Sequence, residues 1–228
     1  IWHGVAEQLA EHFCVHLVDL PGHGYSAAVE PFSLSAIAAR VAAQFPHPLH
    51  VLGWSLGGAV ALRWALDHPY AVRKLVLVAS SPCFQQRDDW PVAMRREVLA
   101  QFAGDLRQNY QATLRRFIAL QAMGGNASRE VLRGLQDRLF DRGQPVEAVL
   151  GSGLEILRDE DLRHELQHLD QPTLLIYGER DALTPAAAGR WLAGAIADSE
   201  LLLLPDASHA PFISHADVFT AKVLEFLR

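Results

Sequence analysis

Ser55 lies between two glycines, at the point where a short apolar stretch, Leu49 to Leu52, passes into a helical pattern. In the sequence Gly53-Trp54-Ser55-Leu56-Gly57, a strand-to-helix turn too tight for larger flanking residues would lift the serine hydroxyl clear of the sheet edge. Such a nucleophile elbow is typical of acyl transfer. The apolar helical pattern from Ala59 to Leu66, and the close packing of that helix on the strand that Gly57 and Gly58 would allow, favour an elbow over an ordinary Gly/Ser loop.

Two further residues have the chemistry that a serine nucleophile needs. A base must take the hydroxyl proton, and a carboxylate must hold that base in one tautomer and stabilise it when it is charged. Asp181 and His209 follow Ser55 in the chain order Ser, Asp, His, each just after an apolar strand pattern. Because the carboxyl ends of parallel strands share one edge of a sheet, we expect the three side chains to meet there. Glu179 and Asp206 are nearby alternatives for the carboxylate.

The elements that would position these residues alternate between strand and helix patterns. Helical spacing of apolar residues predicts helices at Ile1 to Phe13 and Leu34 to Phe45. Apolar runs predict strands at Val15 to Leu20, Leu49 to Leu52, Leu75 to Ala79, Thr173 to Tyr177 and Glu200 to Leu204. This alternation predicts an α/β fold with a mostly parallel sheet flanked by helices.

From about Gln85 to Leu166, amphipathic helical segments replace the strand patterns, so we predict a helical lid inserted over the sheet. The core would then comprise residues 1–84 and 167–228, and the lid residues 85–166. Residues 87–142 carry ten arginines, no lysine and seven acidic residues, a net charge of +3 in a chain of formal charge -6. Within Gln108 to Met123, apolar residues share one helical face and the arginines project elsewhere. These arginines could also form an ordinary solvated face.

Composition limits the function further. With 228 residues, 50% of them hydrophobic, the chain can bury one sizeable core, and its charge of -6 argues against nonspecific nucleic-acid binding. Cys14 and Cys83 are too few for a disulfide framework and have no metal-ligand partner at short spacing. No apolar run approaches the roughly 18 residues of a membrane span. We expect a cytoplasmic monomer without metal or organic cofactor, although a chain that begins at Ile1 could have lost a leader.

Five stretches of the chain carry a family resemblance: Val15 to Gly22, Gly53 to Gly58, Ala79 to Phe84, Phe117 to Gln121 and His209 to His215. Together they resemble the biotin-pathway carboxylesterases, α/β hydrolases that cleave the methyl ester of pimeloyl-acyl carrier protein. The elbow is shared by the whole superfamily, whereas Ser-Ser-Pro-Cys-Phe and Phe-Ile-Ala-Leu-Gln are more particular to this family. The resemblance extends from about Trp2 to the C-terminus.

The resemblance implies roles for individual residues. The catalytic triad would be Ser55, Asp181 and His209, and Leu56 would supply one backbone N–H to the oxyanion hole. The acyl pocket would be bordered by Trp54, Leu56, Phe117, Ile118, Ala119, Leu120 and Gln121. Because guanidinium forks suit carboxylates and phosphates, the acidic acyl carrier protein would dock on Arg115, Arg116, Arg129 and Arg133.

The front of the chain departs from the family pattern. Family members carry further residues before the position of Trp2, including strands and a His-Gly-Trp loop that supplies the second oxyanion donor. His3-Gly4 is no substitute, because it lies in a helical pattern and does not follow a strand. We therefore expect an N-terminally shortened form of a complete enzyme. One absent strand would lie centrally, between the strand at Val15 to Leu20 and the elbow strand.

These observations predict a serine carboxylesterase that acts on the methyl ester of pimeloyl-acyl carrier protein. Within enzymes, the alternatives are a broad-specificity esterase for short acyl esters and another hydrolase on the same scaffold, such as one that cleaves carbon–carbon bonds. A noncatalytic binding module is the alternative from another class. Fold alone does not choose among them.

Overall fold

The computed structural model describes residues 1–121 and 147–228. Within these residues the strands β1 to β4 are Leu49–Trp54, Val72–Val78, Thr173–Gly178 and Ser199–Leu204. The helices α1 to α9 are His3–Ala10, Leu34–Ala42, Leu56–Asp67, Arg96–Gln108, Tyr110–Gln121, Glu147–Asp159, Ala186–Ala195, Pro211–Ser214 and Ala216–Leu227. Two 3₁₀ segments are Pro69–Ala71 and Arg163–His168.

The described strands form one parallel sheet in the order β1-β2-β3-β4. Side chains alternate between its faces, so Leu75 and Leu77 of β2 join one apolar core and Val76 and Val78 join the other. Strands buried on both faces in this way are apolar along most of their length. The predicted α/β fold with a parallel sheet is confirmed.

Helices cover both faces of the sheet. On one face α2, α3 and α7 pack against the strands, with Leu62 and Leu192 buried. On the other face are α1, α8 and α9, with Val5 and Phe219 buried. Each large apolar side chain buried in these layers contributes about 1.5–3 kcal/mol. None of the described helices is both long enough and apolar enough to cross a lipid bilayer.

The strand predicted at Val15 to Leu20 is wrong. The structure assigns these residues neither strand nor helix, and Leu17 and Val18 are 47% and 44% exposed. Among the described residues no strand lies beside this segment, and an extended chain without a neighbour makes no ladder hydrogen bonds, however apolar it is. The other four predicted strands are present, with ends that differ slightly from the prediction.

Between β2 and β3 the described part of the chain is helical and contains α4, α5 and α6. The two ends of this stretch are joined where they leave the core. The Arg87 guanidinium donates to the Asp159 carbonyl at 2.7 Å. The Arg163 side chain is 9% exposed and forms ion pairs with Asp161 at 2.7 Å and Asp89 at 3.0 Å. These contacts fix the base of the helical stretch, while the division into a core and a lid at residues 85 and 166 stays a prediction.

Candidate active site

Ser55 occupies a strained turn between β1 and α3. Its φ is 53° and its ψ is -121°, a backbone conformation that residues with a side chain seldom adopt. A Cβ at Gly53 would overlap the carbonyl oxygen of Gly57, and one at Gly58 would lie 2.5 Å from the Cβ of Ser80. Glycine is therefore required at Gly53 and Gly58. A Cβ at Gly57 would meet nothing within 4 Å, so the prediction that this flanking position is too tight for a side chain is wrong. The turn as a whole has the geometry of the predicted elbow.

Hydrogen bonds to the last residue of β2 and to Ser80 just after it hold this turn in place. The Ser55 N–H donates to the Val78 carbonyl at 3.0 Å, and the Ser80 hydroxyl donates to the Ser55 carbonyl at 2.9 Å. The Tyr177 hydroxyl donates in turn to the Ser80 carbonyl. Burial, and to a smaller extent the Asp181 carboxylate, raises the pKa of Tyr177, so its hydroxyl stays protonated and remains a donor. The turn is thereby supported by groups that the sequence pattern does not indicate.

His209 and Asp181 form a buried pair beyond the carboxyl ends of β3 and β4. His209 Nδ1 lies 2.8 Å from Asp181 Oδ2, and the two side chains are 1% and 0% exposed. A Cβ at Gly178 would overlap the carbonyl oxygens of Ala207 and Ser208. The absence of a side chain at Gly178 therefore allows the two loops to approach each other.

The other two carboxylates that the sequence allowed face different partners. Glu179 Oε1 lies 3.5 Å from Arg190 Nη2, and the Asp206 carboxylate forms an ion pair with the Arg180 guanidinium. Both carboxylates are exposed. Of the three candidates, Asp181 is the one in contact with the His209 imidazole.

The Asp181 carboxylate is fixed by several donors. Its Oδ1 accepts from the Leu183 N–H at 2.8 Å and the Thr184 N–H at 3.0 Å, and its Oδ2 accepts from the Thr184 hydroxyl at 2.6 Å. These hydrogen bonds restrict the rotation of the carboxylate. A signal for Thr184 is present in the sequence, because an aspartate often accepts from backbone groups two and three residues later.

Trp54 connects the elbow to His209. Its indole N–H donates to the His209 carbonyl at 2.7 Å, and the two ring centroids are 5.4 Å apart. The structure shows no hydrogen bond between the Ser55 hydroxyl and His209 within the described residues. His209 Nε2, the ring nitrogen away from Asp181, is buried and has no hydrogen-bond partner there. It therefore offers an unused proton-accepting position.

The backbone N–H of Leu56 lies at the first position of α3. No acceptor in residues 1–121 or 147–228 takes this N–H. The N-terminus of a helix carries a partial positive charge from such unpaired donors. A negatively charged oxygen near Ser55 could be stabilised by this group.

Phe117 brings α5 to the same site. Its ring lies 6.3 Å from the His209 ring in an edge-on arrangement and 5.0 Å from the ring of Phe102 on α4. Ala119 is half-buried on α5. The side chains of three further predicted pocket residues lie outside the described part of the chain: Ile118, Leu120 and Gln121. Trp54 and Phe117 thus form an apolar border around the imidazole.

The predicted docking arginines are described in part. Arg115 and Arg116 are exposed on α5. Arg129 and Arg133 lie outside the described residues. Docking of a carrier protein on these four side chains stays a prediction.

A serine on a strained turn, an imidazole paired with a carboxylate and an open N–H at a helix terminus are the parts that nucleophilic acyl transfer requires. Among the described residues, no group of three or more His, Cys, Asp or Glu side chains is placed to hold a metal ion. The sheet and this arrangement define the class of the protein, the α/β hydrolases. In agreement, the family model for the alpha/beta hydrolase fold matches residues 1–216.

Curated relatives narrow this class. A pimeloyl-[acyl-carrier protein] methyl ester esterase from Chromobacterium violaceum is 47% identical over 223 residues, which is 98% of this chain and 87% of the relative. The protein of the same name from Yersinia enterocolitica is 42% identical over 226 residues, 99% of this chain and 87% of the relative. The chain belongs to the family of these proteins.

Solved structures agree with the fold. An esterase from Exiguobacterium antarcticum superposes with a TM-score of 0.88 at 25% identity, and covers 99% of this chain and 86% of its own. An enol-lactonase from Burkholderia xenovorans gives a TM-score of 0.82 at 26% identity, over 99% of this chain and 85% of its own. Both are similar to this chain along nearly its entire length.

Proposed function

We propose that the chain is a serine carboxylesterase that hydrolyses the methyl ester of pimeloyl-acyl carrier protein in biotin biosynthesis. The observation that carries the proposal is the buried 2.8 Å contact of His209 with Asp181 beside the elbow, in a chain 47% identical to a relative of that name. The catalytic triad would be Ser55, His209 and Asp181. A cytoplasmic monomer is part of the proposal on the sequence grounds given above.

The proposed reaction begins with His209 as the base. Its Nε2 accepts the Ser55 hydroxyl proton while the oxygen attacks the ester carbonyl, and Asp181 stabilises the imidazolium that forms. The Leu56 N–H donates to the developing oxyanion. His209 then protonates the departing methanol, and a water activated by the same imidazole releases the free carboxylate. Catalytic hydrogen bonds often tighten only when substrate is bound, so the missing bond between Ser55 and His209 is compatible with this role.

The direct test compares two substrates of the purified protein. We expect kcat/KM for the methyl ester of pimeloyl-acyl carrier protein to exceed that for p-nitrophenyl acetate by about tenfold or more, which corresponds to about 1.4 kcal/mol of additional transition-state binding. Methanol release and p-nitrophenol absorbance measure the two rates. A preference for the short ester would instead support a broad-specificity esterase.

Trp54 is expected to act on both the base and the acyl chain. Trp54→Phe keeps an aromatic wall but removes the N–H bonded to the His209 carbonyl, so kcat should fall by about fivefold for short and long esters alike. Trp54→Ala also removes apolar surface that would contact the acyl chain of the substrate. Each acyl CH2 left unburied costs about 0.8 kcal/mol, so KM should rise more for a hexanoate than for an acetate ester. Steady-state kinetics of both variants on both esters separate the effects. A kcat unchanged in Trp54→Phe would contradict the role of the indole N–H.

Arg116 is expected to contribute to carrier-protein docking. Arg116→Glu should lower kcat/KM for the carrier-linked ester by about tenfold, because a like charge would then face an acidic partner, and should leave a small pimelate methyl ester unaffected. Arg40→Glu, at an exposed position on α2, is the matched control and should affect neither substrate. Equal losses on both substrates in Arg116→Glu would count against docking at this position.

A further inference from the structure

Thr184 forms a closed set of contacts with the His209 and Asp181 side chains. Its hydroxyl oxygen lies 2.6 Å from Asp181 Oδ2 and 3.2 Å from His209 Nδ1, and Nδ1 itself lies 2.8 Å from the same Oδ2. The three residues are buried, at 1% exposure for Thr184, 5% for Asp181 and 1% for His209. Water therefore cannot substitute freely for any of these contacts.

The position of the protons follows from the donors and acceptors in this set. A hydroxyl has one proton and two lone pairs, and an ionised carboxylate can only accept. The Thr184 proton is directed at Asp181 Oδ2, so the hydroxyl presents a lone pair to His209 Nδ1. Both oxygens near Nδ1 are then acceptors, and the imidazole is stabilised with its proton on Nδ1. The lone pair of the neutral ring remains on Nε2.

We propose that Thr184 is a positioning residue that holds the Asp181 carboxylate against His209 Nδ1 and thereby supports Nε2 as the base. The inference rests on the proposed function, since it assigns Thr184 a role in support of the same base. Thr184 acts through Asp181 and His209 and does not take part in bond formation. Its own backbone N–H donates to Asp181 Oδ1 at 3.0 Å, so the threonine and the carboxylate hold each other in place.

The test compares Thr184→Val, which has nearly the same shape without the hydroxyl, with Thr184→Ser, which keeps the hydroxyl. With a small soluble ester, we expect Thr184→Val to lower kcat by about tenfold at unchanged KM. The kcat of Thr184→Ser should remain within about threefold of that of the unsubstituted protein. NMR of the His209 ring should show a proton on Nδ1 in all three proteins, at the same resonance position in the unsubstituted protein and Thr184→Ser, and displaced in Thr184→Val because Oδ2, the acceptor of that proton, is no longer held by a hydroxyl.

Two outcomes would overturn the proposal. One is a Thr184→Val variant with unchanged kcat and an unchanged Nδ1 proton resonance. The other is a Thr184→Ser variant that is as impaired as Thr184→Val, because the loss would then come from packing. Failure of the proposed function is distinguishable from both, since the unsubstituted protein would then neither hydrolyse esters nor react at Ser55 with a fluorophosphonate. The NMR measurement also reports the contact between His209 and Asp181 if either variant is inactive.

Discussion

Ser55→Ala is expected to lower kcat for every ester substrate by about 10⁴-fold or more, because the attacking oxygen is removed and no covalent intermediate can form. The fold should persist. The hydrogen bonds that hold the turn involve the backbone N–H and carbonyl of Ser55, and alanine retains both. Steady-state kinetics measure the loss, and labelling by a fluorophosphonate should disappear together with the activity.

A matched control separates this effect from the loss of any surface hydroxyl. Ser35 is exposed on α2, and Ser35→Ala should keep full activity and labelling. A Ser55→Ala variant that still hydrolyses esters would exclude Ser55 as the nucleophile. An unsubstituted protein that folds but neither reacts with the probe nor hydrolyses any ester would support the noncatalytic binding module.

The elbow and the strand ends could be predicted because they depend on local rules. Gly53 and Gly58 are required wherever a strand turns so sharply into a helix, and the structure shows the overlaps that any Cβ at these positions would cause. The chain order of Ser55, Asp181 and His209 fixes their places only if the strands are parallel, and the alternation of helix and strand patterns indicated parallel strands. Sequence pattern and fold are therefore consistent at this edge of the sheet.

Other features depend on contacts between distant segments. The apolar run from Val15 to Leu20 matches a strand pattern, but a strand also requires a neighbour, which a local pattern cannot supply. Glu179, Asp181 and Asp206 all follow strands, and only the direction of each side chain distinguishes the one that meets His209. The hydrogen bond from Trp54 to the His209 carbonyl joins residues 155 positions apart. The family resemblance implied that Trp54 borders the acyl pocket, and no local pattern could show that it also supports the base.

Asp181→Asn is expected to lower kcat by about 10³- to 10⁴-fold with little change in KM. The Leu183 and Thr184 N–H groups would bind the amide oxygen as they now bind Oδ1, at 2.8 and 3.0 Å, and the amide NH2 would then face His209 Nδ1. A donor in that place favours the ring with its proton on Nε2, which can no longer accept the proton of Ser55. Kinetics at neutral pH and nitrogen-15 NMR of His209 measure the two effects.

The two alternative carboxylates provide the controls for Asp181→Asn. Glu179→Gln and Asp206→Asn alter exposed ion pairs with arginines, which contribute at most about 1 kcal/mol to stability, so both variants should keep kcat within about twofold. A similar fall in kcat in Asp181→Asn and Asp206→Asn would mean that contact with His209 is not what makes a carboxylate catalytically important here. A loss confined to Asp181→Asn, together with the Nε2-protonated ring, would show that this carboxylate determines which nitrogen of His209 can act as the base.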